Sequence, residues 1–332
     1  MHVAQAQTEL FSLSRFFNRN PATSPSTKKS FFKKSNSKVA RPELIRADQT
    51  TANDLFTKAR LVLNINGFIP TQTSNGLEYS FILPKYLIDK FMLIDKIMQS
   101  NPRTFMYFAT NEAEQILAVV VEGSVEDREN NQNFDVRMVP WPFAPSGKAS
   151  VHYGFYRVFQ SVKASFYRTL AAHMNEFPEY KLWLVGHSRG AVVITLLFAS
   201  IVSACPKPLT PEMCQRLQQT ASLSIFGSPR MGNQAFVDYL LGLNVNIQRV
   251  TNFIEETPRL PPKALGYRQI NNEWWYDGTT LWQCAPNEKY ETTACNGGTK
   301  FSFKNGHPYH LAVLGHPDKP GQPKQSNSFL TP

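Results

Sequence analysis

Three residues far apart in the chain have the types needed for a nucleophilic relay: Ser188 in Gly186-His187-Ser188-Arg189-Gly190, Glu255, and His310. A serine hydroxyl is a poor nucleophile until a base takes its proton, and the base needs an acid to orient it. Around Ser188 an apolar run, Leu182 to Val185, enters Gly-x-Ser-x-Gly and passes at once into a second apolar run, Ala191 to Val202. That pattern predicts a strand, a sharp turn and a buried helix, with the hydroxyl lifted out beside the positive end of the helix. A bare Gly-x-Ser-x-Gly carries little weight, since glycine and serine are common. The strand before it and the helix after it make it a nucleophile elbow.

The partners follow in the order serine, acid, histidine. His310 is the best base, in His307-Pro308-Tyr309-His310-Leu311, with His307 and His316 as rivals. Glu255 follows a predicted strand, Ile247 to Phe253, and has Glu256 and Asp277 as rivals. An oxyanion needs two preorganised donors. The backbone N–H of Arg189 is one, and Ser124, after Val119-Val120-Val121 and Gly123, offers the other.

The elements that must position these groups show as periodicity. Apolar residues at three- and four-residue intervals predict helices over Ala52 to Asn64 and Lys85 to Met98, and a long one over His152 to Phe177. Arg103 to Thr110 and Gln115 to Val121 read as paired strands. Ala221 to Phe226 is a strand and Gln234 to Leu243 a helix; Trp274 to Tyr276 is a final strand, and Glu255 to Pro262 is too proline-rich for regular structure. Strands alternating with helices predict an α/β protein, its mostly parallel central sheet covered by helices on both faces. Sites on such sheets lie at the carboxyl ends of the strands, where Ser188, Gly227 and Glu255 all fall.

With 332 residues, 42% of them hydrophobic, the chain can bury a large core. The expected organisation is a disordered basic tail over 1–45, one domain over 46–316, and a flexible tail over 317–332. The net charge of +10 is uneven: residues 1–42 hold eight basic residues against Glu9 alone, leaving +3 for the rest. A nucleic-acid partner is therefore not expected, because the basic character belongs to a tail rather than a folded face. That tail, with Phe16-Phe17 and Phe31-Phe32 beside lysines and arginines, suits peripheral contact with a membrane. No apolar run reaches the 18 residues of a transmembrane helix. Four cysteines fall into two local pairs, Cys205 with Cys214 and Cys284 with Cys295, and fit two disulfides among three pairings or a reduced state. None has metal-ligand spacing with a histidine, and no cofactor is called for. The cysteines lean towards an oxidising compartment, while the first residues lack a continuous apolar h-region. On balance an intracellular or membrane-peripheral location is favoured, with secretion or a mitochondrial location as alternatives.

Several ordered motifs over about 200 residues resemble the class 3 lipases, the fungal triacylglycerol lipase and feruloyl esterase group of α/β-hydrolases. Besides the elbow these are Val151-His152-Tyr153-Gly154-Phe155, Phe226-Gly227-Ser228-Pro229-Arg230-Met231-Gly232-Asn233, Pro258-Arg259-Leu260-Pro261-Pro262, and His310-Leu311-Ala312-Val313-Leu314-Gly315. The resemblance implies an ester hydrolase acting on lipid or related carboxylic esters, with Ser188, Glu255 and His310 as the triad and Ser124 with Arg189 as the oxyanion hole. The alternative is a catalytically silent relative that binds a membrane or a partner.

Three positions depart from the family pattern. Glu255 stands where the family has aspartate, Glu122 where it has arginine before the oxyanion glycine, and Arg189 where it has leucine after the serine. In the place of an apolar lid helix, Glu126 to Gln132 is short, polar and free of aromatics. This argues against strong activation at an oil–water interface.

Overall fold

Alternation along two neighbouring strands sets the layers. The computed structural model describes residues 43–65, 69–73, 76–80, 90–124, 135–253 and 255–299. Strand β5 (Arg103–Asn111) pairs antiparallel with β6 (Ile116–Val121). Met106, Phe108, Leu117, Val119 and Val121 face one core, whereas Phe105, Tyr107, Ala109, Ile116, Ala118 and Val120 face another. Both sets are buried. A period of two with both phases apolar is what a central sheet covered on both sides requires.

Nine strands form that sheet. The first is β1 (Leu44–Arg46), and β4 (Met92–Ser100) forms the opposite edge. Between them lie β9 (Lys181–His187), β10 (Ser222–Phe226), β11 (Asn246–Asn252), β12 (Glu273–Tyr276) and β13 (Leu281–Cys284), in the order β1-β13-β12-β11-β10-β9-β6-β5-β4. The five strands β12, β11, β10, β9 and β6 are mutually parallel, with antiparallel β13 and β5 flanking them. Two small pairs stand apart, β2 (Ile69–Thr73) with β3 (Gly76–Ser80) and β7 (Met138–Pro140) with β8 (Ser150–His152).

Helix α1 (Gln49–Ile65), capped by the Asp48 carboxylate on the Thr51 N–H at 2.8 Å, covers one face through Leu55, Ala59 and Val62. Helices α2 (Tyr153–Glu176), α3 (Arg189–Ala204), α4 (Pro211–Thr220) and α5 (Gln234–Gly242) contribute to the core on the other face. The predicted stripe Phe155, Val158, Phe159, Val162, Phe166, Leu170 and Met174 on α2 is buried there. Helix α3 is buried along nearly its whole length, so its apolar sequence carries no polar face.

Two expected elements are corrected. Lys85 to Met98 is not a helix: residues 85–89 lie outside the described residues, and Met92 to Ser100 is an edge strand on β5. A bulge between Leu93 and Asp95 explains the misleading spacing. By inserting one residue it brings Ile94 and Ile97, three apart, onto the same face, while Leu93 joins the other core. Nor is Trp274 to Tyr276 the final strand, because β13 follows and turns back along it. Glu255 to Pro262 holds only a short 3-10 turn, Thr257–Arg259.

Both cysteine pairs are bonded, Cys205 to Cys214 and Cys284 to Cys295. Each closes a short loop and constrains the unfolded chain by about 2.5–3 kcal/mol in the chain-entropy account. Among the described residues no helix is long and apolar enough to cross a membrane. The tails, 1–42 and 300–332, lie outside the described residues.

Helix α3 meets the sheet so closely that Gly190 admits no side chain: a Cβ there would sit 2.2 Å from the Glu122 carbonyl oxygen. At Gly242, the last residue of α5, a Cβ would meet nothing within 4 Å. Gly190→Ala is therefore expected to lower stability by about 3 kcal/mol or more, and Gly242→Ala to leave it unchanged or raise it by up to about 1 kcal/mol. Urea unfolding midpoints of the two variants check this contrast.

Candidate active site

The five parallel strands all deliver their carboxyl ends to one edge, and the loops that leave them build the site. Ser188 follows β9 with φ 51° and ψ −123°, a left-handed conformation uncommon for a residue with a side chain. It is the N-cap of α3, and its N–H donates to the Phe226 carbonyl at 2.9 Å. A Cβ on Gly186 would lie 2.6 Å from the Gly190 carbonyl oxygen. Glycine at both positions is thus a packing requirement of the turn that strains Ser188.

The loop after β6 presses against this turn. An added Cβ on Gly123 would lie 3.2 Å from the Ser188 Cβ and 2.9 Å from His187 Nδ1. Of the predicted oxyanion residues, Ser124 follows Gly123 and Arg189 follows Ser188, so each lies one residue from this contact. Glu122, which opens the loop, hydrogen-bonds through its N–H to the Phe105 carbonyl at 3.0 Å.

The two unexpected charges beside the serine have buried settings. Glu122 and Arg189 are each 2% exposed. The Arg189 side chain runs back beneath the sheet edge and donates through Nη2 to the Arg103 carbonyl at 2.6 Å. The Arg103 guanidinium in turn lies 3.8 Å from the Glu122 carboxylate. Arg103, at the start of β5, is a contributor that sequence reasoning missed; adjacency to β6 becomes visible only once the hairpin register is known.

Two strands away, Glu255 follows β11. It is 7% exposed, and its N–H donates to the Asn252 carbonyl at 2.9 Å. The Asn296 side-chain amide donates to the Glu255 carbonyl at 2.8 Å and the Phe253 carbonyl at 3.4 Å, and Trp275 Nε1 adds a bond to the latter at 2.9 Å. Further along, Arg259 donates to the Thr299 carbonyl at 2.7 Å.

Arg230, from the Gly227-to-Asn233 motif, grips the same loop by its carbonyls at Arg259 and at Pro261, the latter at 2.8 Å. Its other nitrogens form a two-pronged pair with Glu291 at 2.6 and 2.9 Å. The remaining motif residues are structural too. Asn233 caps α5 by accepting the Phe236 N–H at 3.0 Å, and His152 caps α2 and stacks on Phe155 with ring centroids 4.0 Å apart.

The rival acids have other work. Both oxygens of Asp277 are engaged in the β12–β13 turn, one by Thr279 and Thr280, the other by Trp282 Nε1 at 2.8 Å. Partial burial pushes its carboxyl up, but these hydrogen bonds outweigh that and hold it below the usual carboxylate value. Glu256 is half-buried and faces the Arg259 cation. His307, His310 and His316 lie outside the described residues, as does the Glu126-to-Gln132 stretch. No group of three or more His, Cys, Asp or Glu side chains is arranged to hold a metal among the described residues.

Residues 118–265 match the family model of lipase (class 3), a span that begins in β6, includes the elbow and Glu255, and ends past the Arg259 loop. Over this stretch, a little under half of its length, the chain is similar to the class 3 lipases. The chain is 26% identical over 217 residues to a secreted mono- and diacylglycerol lipase of Fusarium solani, covering 64% of this chain and 61% of that protein. It is 28% identical over 171 residues to a lipase of Rhizomucor miehei, half of this chain and 43% of that one. It thus spans less than two thirds of the length of these relatives. Among solved structures a fungal lipase–inhibitor complex superimposes with a TM-score of 0.66 at 21% identity, covering 82% of this chain and 98% of that one. The fold is that of the α/β-hydrolases, as expected.

The favoured intracellular or membrane-peripheral location is corrected. The Fusarium solani relative is a secreted protein. The two closed disulfides also fit an oxidising compartment, since reducing cytosol keeps thiols free. Both observations point to secretion rather than to an intracellular location.

The Arg230–Glu291 pair lends the site a pH dependence. Burial pushes the Glu291 carboxyl up, but hydrogen bonds and charge from Arg230, helped by Arg249 and Lys263, more than offset this and hold it below its ordinary value. A depressed carboxyl stabilises the fold above its unfolded value, about 4.3, and loses that contribution as pH falls through the lower folded one. Glu291→Gln, which leaves Arg230 buried without its counter-charge, is expected to cost about 3 kcal/mol at pH 7. In urea unfolding the gap from the wild type should narrow steadily below about pH 4.

Proposed function

We propose that the protein is a serine ester hydrolase that cleaves acyl esters of lipids through an acyl-enzyme on Ser188. Ser188 Oγ attacks the ester carbonyl carbon while His310 takes its proton, and the carbonyl oxygen becomes an oxyanion. Arg189 N–H and Ser124 donate to that oxyanion. Collapse of the tetrahedral intermediate expels the alcohol, which takes the proton from His310. Water, deprotonated by His310, then attacks the acyl carbon, and the carboxylic acid leaves as Ser188 recovers its proton. Glu255 orients His310 and balances the imidazolium that forms at each step.

The observation that carries this reading is the Ser188 turn itself. A non-glycine residue is held at φ 51° with two glycines packed beneath it and Gly123 against its Cβ. Strain of this kind has a use at a nucleophile and none in a simple strand-to-helix connection. Glu255 supports it: β11 is two strands from β9, about 10 Å at the usual spacing, a gap suited to an imidazole hydrogen-bonded on both sides.

Support for a lipid substrate comes from two directions. The Fusarium solani relative is named for mono- and diacylglycerols. In this chain Phe253 and Leu265, on the loops after β11, are 42% and 48% exposed. Exposed apolar side chains on these loops, Phe253 only two residues before Glu255, suit an acyl chain or a lipid surface.

Ser188→Ala should reduce turnover of short-chain p-nitrophenyl esters by a factor of about 10⁴ or more and leave the circular dichroism spectrum unchanged. A fluorophosphonate should label the wild type stoichiometrically at Ser188. Undiminished turnover in the variant would refute the assignment, and an unlabelled wild type would favour a catalytically silent protein. Glu255→Gln should lose most activity and Glu255→Asp should retain some; full activity in Glu255→Gln would direct attention to Glu256.

A further inference from the structure

The loop carrying Glu255 is held by a side chain that neither the motifs nor the triad include. Asn296 is 1% exposed, and its side-chain amide donates to two main-chain carbonyls of that loop, at Phe253 and Glu255. They are 43 and 41 residues away in sequence, so the contact is tertiary. We propose that Asn296 is a positioning residue for the acid Glu255, with the Cys284–Cys295 disulfide as its anchor; the proposal rests on the reading of Glu255 as the acid of the relay.

Asn296 is itself tightly placed. The preceding residue is bonded to the end of β13, a strand of the central sheet. The next two residues are glycines whose added Cβ atoms would lie 2.3 Å and 2.1 Å from the Thr292 and Thr293 carbonyl oxygens. Asn296 closes a short 3-10 turn, with the Thr299 hydroxyl and N–H donating to its carbonyl at 2.9 and 3.2 Å. From the same turn, Thr299 accepts Arg259 on the far side of Glu255. One disulfide-anchored turn thus holds the acid's loop on both sides of the carboxylate.

The altered acid supplies the reason. Glutamate is longer than aspartate by one carbon–carbon bond, about 1.5 Å, so its loop must sit further back and be held there. Misplacement of a catalytic group by about 1 Å costs on the order of a hundredfold in rate. Captured carbonyls fix the backbone on which the longer side chain pivots.

The test compares Asn296→Ala and Asn296→Asp with the wild type and Glu255→Gln, on full-length oxidised protein, with active sites counted by fluorophosphonate titration. The expected result for both Asn296 variants is a fall in kcat per titrated site of about 10- to 100-fold with KM changed less than twofold. The acid limb of the kcat/KM profile should also move to lower pH. A histidine less well paired with its carboxylate holds its proton less strongly, so the neutral base persists to lower pH. Replacing both Cys284 and Cys295 by serine should reproduce the same signature, which keeps the proposal open to test even if an Asn296 variant does not fold.

Wild-type kcat per site and an unmoved acid limb in the Asn296 variants, alongside an inactive Glu255→Gln, would overturn the role of Asn296 and leave the acid assignment standing. So would a reduced number of titratable sites with normal kcat at each, the mark of a purely structural residue. A fully active Glu255→Gln would overturn both.

Discussion

The close approach of the first turn of α3 to the loop after β6 is the constraint on which the site depends. Gly186 and Gly190 meet backbone at distances no side chain allows, and a Cβ on Gly123 would crowd His187 Nδ1 at 2.9 Å and the Ser188 Cβ at 3.2 Å. Because cores are as dense as organic crystals, such contacts leave no room for the turn to relax. Two parallel strands, β6 and β9, hold the partners in register from Ile116–Lys181 to Val121–Gly186, so the loop and the elbow emerge side by side. The strain at Ser188 is then a consequence of packing, held in place by a helix whose buried face runs from Arg189 to Ile201.

The two halves of the site are secured by different physics. On the nucleophile side backbone meets backbone, and the specifying residues are glycines. On the acid side Phe253 and residues 255–261 have almost no regular structure, so their polar groups are satisfied by side chains from elsewhere: Asn296, Trp275 and Arg230. Arg230 is in turn neutralised by Glu291. Buried charge is costly, and such pairs contribute more to holding one geometry than to net stability. An irregular loop that must present a carboxylate at one place has that need.

This division explains what was legible in the amino-acid sequence. The elbow, α2, α3 and the β5–β6 hairpin are local patterns, written in the period of apolar residues and in glycine spacing, and they read correctly. The Phe226-to-Asn233 motif was visible as a motif, but its role in gripping a loop through Arg230 was not, because its contacts lie 29 to 61 residues away. Strand β4 was misread because a bulge disguised a period of two as one of three or four. Asn296 sits in Cys295-Asn296-Gly297-Gly298, where the glycine pair marks a tight turn, yet nothing local says which carbonyls the amide will meet. Strand β13 was missed for a related reason: its four residues are too few to establish a period.

The departures at positions 122 and 189 make physical sense together. The family pattern leads one to expect arginine before the oxyanion glycine and leucine after the serine, whereas this chain has glutamate and arginine. A leucine needs only apolar surroundings at the start of α3, but an arginine buried there must find an acceptor and an opposite charge nearby. The Arg103 carbonyl is the acceptor, and the Glu122 carboxylate, beside the Arg103 guanidinium, puts a negative charge into a region that would otherwise hold cations alone. Had arginine been kept at position 122, three guanidiniums would converge on one buried sheet edge. The exchange of sign at 122 therefore goes with the gain of charge at 189. Neither change touches the main-chain contacts of Gly123 and Gly190 that bring the loop to the serine, which is why the side chains beside the oxyanion site can differ while its backbone geometry persists.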